Sequence, residues 1–478
     1  MISFILNEQL VKAIQPDGST VLDYVRYYKK YTGTKIGCRE GDCGACTILV
    51  GDFENNKLVY RTMTSCLMPL VNANGKHIVS VEGINLPAGR QGMKELSPVQ
   101  QAMVDENGTQ CGFCTIGFVM SLTGFILNSN TKNYNQAIAD IAGNICRCTG
   151  YKSIERAAAI ITDKIANKPE TETIAWLVKN NFIPHYFLKI NERLTELREQ
   201  INTQAGEIKA ITQKLVLGGG TDLIVQKALH VKKSAITHVF DKTELQEISI
   251  ENNYCSIGGA VTVTSFSESK LVKSIFPDLK KHIRLISSTP IRNMATMAGN
   301  LVNASPIGDM TIFFLALDCD IVLNKNKKSR TVKLKEFYKG YKQIDKDADE
   351  IIEKIIFAVP KNCQFNFEKV SKRTHLDIAS VNTACLLKLN DEEEIEMIHL
   401  SAGGVAPFPR YLNNTCAFLT GKKITTAVLK EAIEILNNEI APISDARGTA
   451  YYKKILLRQL FLSHFINHEK VISDLLEI

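Results

Sequence analysis

Apolar and polar residues change their spacing along the chain, and those changes divide it. Residues 2–6 and 10–14 are short apolar-rich runs on either side of Asn7-Glu8-Gln9, which predicts a β-hairpin. Asp17-Gly18 marks a turn. Thr20-Val21-Leu22-Asp23 reads as a capping box opening a helix, with Val21, Leu22, Val25 and Tyr28 on one face. Strands are predicted at 47–50, 58–64 and 78–81. A hairpin followed by a helix and a cysteine loop predicts a small β-grasp domain.

From about Leu86 the spacing becomes helical. Ser97-Pro98 is a helix start, with serine as cap and proline in the first turn, and Asn107-Gly108 ends that helix. An apolar helix runs to about Asn128, a short one covers 135–142, and a last one reaches about Asn167. Residues 168–185, with Lys168-Pro169-Glu170, read as a linker. A third region opens near Tyr186. In it a strand at 214–217 runs directly into Gly218-Gly219-Gly220-Thr221-Asp222-Leu223 and a helix to about Leu229. The polar loop 289–309 precedes an apolar helix at 310–317, and 324–350, dominated by Lys and Asp, reads as an exposed, mobile segment. Strands at 355–359, 367–371, 379–389 and 395–405, then helices at 425–438 and 448–465, make a separate α+β unit from 351 onward.

Composition changes the picture little, and mainly by exclusion. The 478 residues correspond to about three domains, and 45% hydrophobic with 22% charged residues is ordinary for a globular protein with a core. The net charge is +7, but no basic run or aromatic-interleaved patch accompanies it, so nucleic acid is not an expected partner. The longest apolar stretches, Thr115–Leu127 and 312–323, fall short of the ~18 residues that span a bilayer. Residues 1–14 lack a signal-peptide pattern. Thirteen cysteines without such a signal point to metal ligation in a reducing compartment, and the expectation is a cytoplasmic protein with no membrane partner.

Eight cysteines fall into two sets. Cys38, Cys43, Cys46 and Cys66 read C-x4-C-x2-C with a fourth cysteine after nineteen intervening residues, the spacing of plant-type [2Fe–2S] ligation. Glycines 37, 41 and 44 let this loop curl and turn amide N–H groups inward, where they can tune cluster sulfurs. Cys111, Cys114, Cys146 and Cys148 read C-x2-C, a helical insert, then C-x-C, each pair at a helix end where the positive dipole end favours thiolates. The bland alternative is zinc or scattered buried thiols, though zinc prefers shorter paired spacings. Cys255, Cys319, Cys363, Cys385 and Cys416 are isolated and read as core or surface thiols.

The strand, glycine loop and helix start at 214–223 could cradle a pyrophosphate on backbone amides, or could be an ordinary glycine turn with a Thr or Asp cap. It matches neither G-x-G-x-x-G nor the P-loop. The loop 289–309, polar between apolar segments, reads as ligand-lining or as irregular surface.

The stretches GCREGDCGACTILVG at 37–51, QCGFCTIGFVMSL at 110–122, AGNICRCTGY at 142–151, LGGGTDL at 217–223 and the loop 289–309 together resemble the iron–sulfur and flavin half of the xanthine dehydrogenase family, the molybdenum hydroxylases. The resemblance implies a multidomain α+β chain. Residues 1–85 would be a β-grasp plant-type ferredoxin domain, 86–167 a four-helix [2Fe–2S] domain and 168–185 a linker. Residues 186–350 would be an α+β FAD-binding domain of the PCMH (vanillyl-alcohol-oxidase-like) type, and 351–478 an α+β domain like the CO dehydrogenase flavoprotein C-terminal domain. It implies two [2Fe–2S] clusters and one FAD, with Val216, Leu217, Gly218, Gly219, Gly220, Thr221, Asp222 and Leu223 around the FAD pyrophosphate. Thr296, Gly299, Asn300, Asn303 and Asp309 would line the same cofactor. Lys369 falls at a flavin-contacting lysine and Ile355 at an apolar contact near it. Ile286 stands where some relatives have an aromatic residue, Ala298 where a second glycine is usual, and Ile116 where proline is usual. The segment 371–379 keeps Asp377-Ile378-Ala379 without the usual acidic pair before it.

Nothing in these residues corresponds to the family's molybdopterin-binding half. The resemblance therefore implies a separate large molybdopterin-binding subunit, with a heterotetramer or larger assembly. Electrons would pass from its molybdenum centre through the helical-domain cluster, the ferredoxin-type cluster and FAD to NAD⁺. No side chain of this chain would act as a catalytic acid, base or nucleophile. Three other readings fit parts of the pattern: a stand-alone NADH-dependent diaphorase, a subunit of an aldehyde or other N-heterocycle hydroxylase, and a zinc-stabilised binding protein.

Overall fold

The computed structural model describes residues 1–87, 95–128, 132–204, 215–373 and 377–467. They form two compact units, Met1–Phe240 with Ser288–Met294, and Asp241–Ser287 with Ala295–Ile478.

In the first unit the predicted hairpin is present. Strands β1 (Ile2–Leu6) and β2 (Gln9–Ala13) pair antiparallel from Ile2 opposite Ala13 to Leu6 opposite Gln9, and Asn7 takes the left-handed conformation in the turn. With β3 (Thr47–Glu54), β4 (Lys57–Thr64) and β5 (His77–Val79) they build a sheet of order β2-β1-β5-β3-β4. The last strand thus enters the middle of the sheet, parallel to β1 and antiparallel to β3. Its His77 is fully enclosed, between the Tyr60 hydroxyl and the Asn7 carbonyl, each at 2.8 Å. Thr20 caps the following helix through its hydroxyl, which accepts from the Asp23 amide at 3.1 Å. That helix becomes a π-turn over Tyr24–Tyr28, with the Lys29 amide on the Tyr24 carbonyl. Val21, Leu22 and Val25 are buried as expected. The wider winding turns Tyr28 off the predicted face and leaves it exposed.

Four helices follow, at Pro98–Asp105, Thr115–Leu127, Tyr134–Ile141 and Lys152–Lys164. Ser97 and Gln100 close a capping box at the first. The helix Thr115–Leu127 is apolar nearly all round, and it is buried nearly all round. Gly124 on its sheet side approaches Thr62 and Leu49 so closely that a Cβ would meet the Thr62 methyl at 2.5 Å. The stretch read as a linker has structure of its own. Lys168 is buried, and its Nζ donates to the Ile126 carbonyl at 2.9 Å, capping the end of that helix. A helix then forms at Thr173–Lys179. The helix Ile190–Gln204 packs Ile190, Leu194 and Leu197 against Ile5 of β1, and its Arg198 pairs with Asp52. Strand Leu215–Leu217 pairs in parallel with Ile236–His238; Lys214, the first residue of the predicted strand, lies outside the described residues.

Besides a two-stranded sheet of Tyr338–Gly340 with Gln343–Ile344, the second unit holds two larger sheets. One has the order Lys328–Lys333, Asp320–Lys325, Ile351–Ala358, Tyr254–Gly258, Ile248–Glu251, and the other Gln364–Val370, Val381–Leu389, Ile395–Gly403, Arg410–Tyr411. Ile351–Ala358 pairs on both sides with strands of the first sheet, so it belongs there and not with the carboxyl-terminal unit in which the sequence reading places it. The helix Asp309–Leu315 carries Phe313 and Phe314 into a core with Phe266, Phe276, Phe357 and Phe367.

Two expectations need correction. The segment 324–350 is not simply exposed: Leu334, Phe337 and Tyr338 are buried anchors, and many of its charges are paired, Arg330 to Glu350 at 2.7 Å among them. The loop 289–309 is not irregular, since it contains short helices at Thr289–Arg292 and Met297–Asn303. Among the described residues no helix is long and apolar enough to cross a membrane.

Candidate cofactor sites

The first cysteine loop curls as its glycines predict. Gly41 and Gly44 have φ of +82° and +68°, a conformation that costs other residues strain. The curl turns amides onto sulfur. Glu40 N and Cys43 N donate to Cys38 Sγ at 3.3 and 3.4 Å, and Cys38 N donates to Cys43 Sγ at 3.4 Å. The Ser65 hydroxyl ties the Cys46 carbonyl beside Cys66 at 2.7 Å. The four sulfurs meet two by two, Cys38 with Cys43 and Cys46 with Cys66. The Cys43 thiol and the surrounding amides hold Cys38 down to about 5 against the effect of burial. The Cys66 thiol likewise lowers Cys46. The lowered thiol of each pair, Cys38 or Cys46, is the one that gives up its proton first, and a metal can take the place of the second proton.

The second set is also paired. Cys111 Sγ and Cys148 Sγ are 3.6 Å apart on the exposed side, while Cys114 faces the buried Cys146. Cys114 is the N-cap residue of Thr115–Leu127, so its sulfur stands at the positive end of a buried helix. Burial, with the Cys146 sulfur beside it, pushes Cys114 up to about 12. Burial would raise Cys146 as well, but the Thr149 hydroxyl and the amides of Thr149 and Cys148 outweigh it and bring this thiol down to about 7.

The two loops touch. Ile145 N donates to the Cys43 carbonyl at 3.0 Å. The Asn144 amide group donates to the Gly44 carbonyl at 3.1 Å and accepts from the Ser121 hydroxyl at 2.7 Å. Ser288–Met294 braces the same region: Ile291 lies against Gly41, Pro290 and Ser288 against Gly143, and Asn293 Nδ2 donates to the Thr62 carbonyl at 2.7 Å. Among the described residues no three His, Cys, Asp or Glu side chains gather around one point suited to a single ion. Sulfurs in facing pairs, with amides aimed at them, fit a two-iron cluster, in which each iron takes two thiolates.

The residues singled out for flavin fall in both units. In the first, Val216 and Leu217 end a strand, and Gly218, Gly219, Gly220, Thr221, Asp222 and Leu223 lead into the helix Leu223–Lys233. Gly220 has φ +86°, and a Cβ there would meet Pro69 at 2.7 Å, so this backbone passes where only glycine fits. Asn72 Nδ2 fixes the loop by donating to the Gly218 carbonyl at 3.2 Å. A backbone held in this way at a helix start can take an anionic pyrophosphate.

In the second unit Thr296 caps Met297–Asn303, its hydroxyl accepting from Gly299 N at 3.2 Å. Asn300 Oδ1 accepts from the Thr311 amide at 3.0 Å, and Asn303 Oδ1 accepts from Lys342 at 2.9 Å. Asp309 and Lys369 are brought together at 2.7 Å. Lys369 Nζ also donates to the Leu285 carbonyl at 2.8 Å, next to Ile286, and Asn382 donates to the other Asp309 oxygen at 2.7 Å. Ile286 and Ile355 are enclosed in the core. Asp377 accepts from the Arg373 amide at 3.1 Å, while 374–376, part of the segment compared for its acidic pair, lie outside the described residues. Of the isolated thiols, Cys255, Cys319, Cys385 and Cys416 are buried and Cys363 is half-buried.

Three residues were missed. Asn144 reads in the sequence only as a helix stop, Thr149 only as part of C-R-C-T-G-Y, and Asn382 as one polar position in a strand; no spacing marks any of them.

Comparison with known proteins assigns these stretches to domains. Residues 4–71 match the model of a 2Fe-2S iron-sulfur cluster binding domain and 81–159 that of a [2Fe-2S] binding domain. Residues 195–361 match the FAD binding domain in molybdopterin dehydrogenase, and 367–467 the CO dehydrogenase flavoprotein C-terminal domain. The chain is 31% identical to xanthine dehydrogenase of Emericella nidulans, over 96% of this chain and 38% of that protein. It is 26% identical to xanthine dehydrogenase 1 of Arabidopsis thaliana, over 95% of this chain and 39% of that protein. It thus spans about two fifths of the length of these relatives. A solved structure, reconstituted CO dehydrogenase from Oligotropha carboxidovorans, superimposes with a TM-score of 0.49 at 23% identity, over 52% of this chain and 86% of that one.

Fold and cysteine geometry define an iron–sulfur flavoprotein with two [2Fe–2S] clusters and FAD. The chain carries iron–sulfur and FAD domains of the molybdenum hydroxylase type, and its similarity to xanthine dehydrogenases extends over all of them.

Proposed function

We propose that this chain carries electrons from a molybdenum centre on a large molybdopterin-binding partner subunit to NAD⁺. When bound, the two clusters supply one-electron carriage, and FAD exchanges single electrons with them and a hydride with nicotinamide. The observation that carries the reading is the direct contact of the two paired-thiol loops through Ile145 N and the Cys43 carbonyl.

The chain's own residues do the positioning. Cys38, Cys43, Cys46 and Cys66 hold one cluster, and Cys111, Cys114, Cys146 and Cys148 hold the other. The amides of Glu40 and Cys43 stabilise negative charge at the first. Val216 to Leu223 offer backbone N–H groups to the FAD pyrophosphate. Thr296, Gly299, Asn300, Asn303 and Asp309 shape the flavin domain, with Lys369 held by Asp309 and Leu285 for contact near the ring, and Ile286 and Ile355 supply apolar packing behind it. The exposure of Cys111 and Cys148, with Phe113 nearby, supports entry of electrons from a partner at that set. The substrate oxidised on the partner is assigned to the purines or related heterocycles. Eight thiolates committed to clusters support a cytoplasmic, reducing setting.

The test is anaerobic reduction of the full chain co-purified with its molybdopterin subunit. Hypoxanthine or xanthine should bleach the cluster and flavin absorbance, and NAD⁺ should restore it. Bleaching by NADH alone, with none by heterocycle or aldehyde in the presence of the partner, would replace this reading with a diaphorase.

A further inference from the structure

We propose that Thr149 sets the reduction potential of the second cluster by donating its hydroxyl proton to Cys146 Sγ. The proposal rests on the reading of Cys111, Cys114, Cys146 and Cys148 as the ligands of that cluster.

Thr149 Oγ1 lies 3.2 Å from Cys146 Sγ. A thiolate bound to iron has no proton, so in the loaded protein the hydroxyl is the donor. Its orientation is already fixed. Tyr151 N donates to Thr149 Oγ1 at 3.3 Å, which occupies a lone pair and leaves the O–H free to point at sulfur. Cys146 N in turn donates to the Tyr151 hydroxyl at 3.1 Å. Thr149, Cys146 and Tyr151 therefore form a closed ring of hydrogen bonds within six residues, made possible by left-handed Gly150 and Tyr151 at φ +65° and +69°. Two amides, Cys148 N and Thr149 N, reach the same sulfur at 3.4 Å each.

The position of this sulfur matters. Cys146 is buried, whereas Cys111 and Cys148 are exposed, and Cys146 directly follows Ile145, whose amide bonds the Cys43 carbonyl. Donors converging on Cys146 weaken its push of charge onto iron and favour the reduced state of the iron it binds. The hydroxyl is the one of the three donors that a substitution can remove without moving the backbone.

The experiment is a dithionite titration of the full chain with redox mediators, following each cluster by its paramagnetic resonance signal. Thr149→Val is expected to lower the one-electron reduction equilibrium of the second cluster about tenfold, a shift of about 59 mV. It should leave the first cluster within twofold, and abolish a coupling to an exchangeable proton detected after transfer to D₂O. Thr149→Ser is expected to stay within threefold of the parent. Thr115→Val, whose hydroxyl bonds Thr109 Oγ1 at 2.8 Å instead of sulfur, is expected to change nothing. If the valine variant fails to hold iron, Thr149→Ala is titrated against Thr149→Ser with the same expectation. An unshifted potential in a fully loaded Val or Ala variant overturns the proposal. Absence of a second cluster signal in the parent protein would instead overturn the functional reading beneath it.

Discussion

The amide of Ile145 and the carbonyl of Cys43, far apart in the chain, are joined by a 3.0 Å hydrogen bond. Cys43 belongs to the first cysteine set, and Ile145 precedes Cys146 of the second. A route of covalent bonds and one hydrogen bond thus connects the two sets, and Asn144 bonds the Gly44 carbonyl beside it.

Asn144 is the clamp beside that bond. It is buried, and it satisfies both the Gly44 carbonyl and the Ser121 hydroxyl. Asn144→Ala strands the Ser121 hydroxyl and removes one donor from the Gly44 carbonyl, which keeps Thr47 N and Thr47 Oγ1, and it is expected to cost about 1–3 kcal/mol in denaturant unfolding. Asn144→Asp keeps the acceptor for Ser121 but loses the donor to Gly44, so the magnetic coupling between the two reduced clusters should weaken in both variants.

Gly44 and Gly112 separate steric from conformational effects. Both have positive φ, +68° and +78°. A Cβ on Gly44 would run into Asn144 and the Gly143 carbonyl, while one on Gly112 meets nothing within 4 Å. Gly112→Ala is expected to cost only the strain of a left-handed alanine, about 1–2 kcal/mol. Gly44→Ala should also push the two loops apart and lower iron content, measured per chain on anaerobically purified protein.

Lys369 and Asp309 form a buried ion pair, with Asn382 on the second carboxylate oxygen. Removing one charge strands the other, so Lys369→Met is expected to cost about 3–5 kcal/mol. The double change Lys369→Met with Asp309→Leu should cost less than the two single changes added together. FAD content measured on the same samples tests whether the pair also supports the flavin.

Two enclosed histidines make stability fall in acid. Burial brings both His77 and His464 down to about 3 from an ordinary 6.5. Below pH 6.5 the unfolded chain takes up protons that the folded one refuses, so the stabilisation present at neutral pH is lost as pH falls from 6.5 towards 3. Each contributes a slope of up to about 1.4 kcal/mol per pH unit in that window. Denaturation midpoints between pH 7 and 5 check this, and His464→Gln should flatten the slope.

The cofactor-bearing parts of the fold are legible in the sequence because they depend on local chemistry. The short cysteine spacings C-x4-C-x2-C, C-x2-C and C-x-C, Ser97 before Pro98 and the Thr20 cap each work within a few residues, and the structure shows the caps where the pattern puts them. What is illegible depends on distance or winding. The π-turn at Tyr24–Tyr28 breaks the 3.6 periodicity that the pattern assumes. The sequence around Arg330 and Glu350 looks like a solvated charge run until the buried Leu334 and Phe337 bring the charges together. Asn144, Thr149 and Asn382 act through partners on other elements or through a turn geometry, and no residue count along the chain signals either.

The most direct test of the account is iron, zinc, acid-labile sulfide and FAD per chain on anaerobically purified protein, read with its visible and paramagnetic resonance spectra. The account predicts about four irons, about four sulfides and one FAD, with two distinct [2Fe–2S] signals after reduction. Zinc in place of iron, with no flavin, would contradict it.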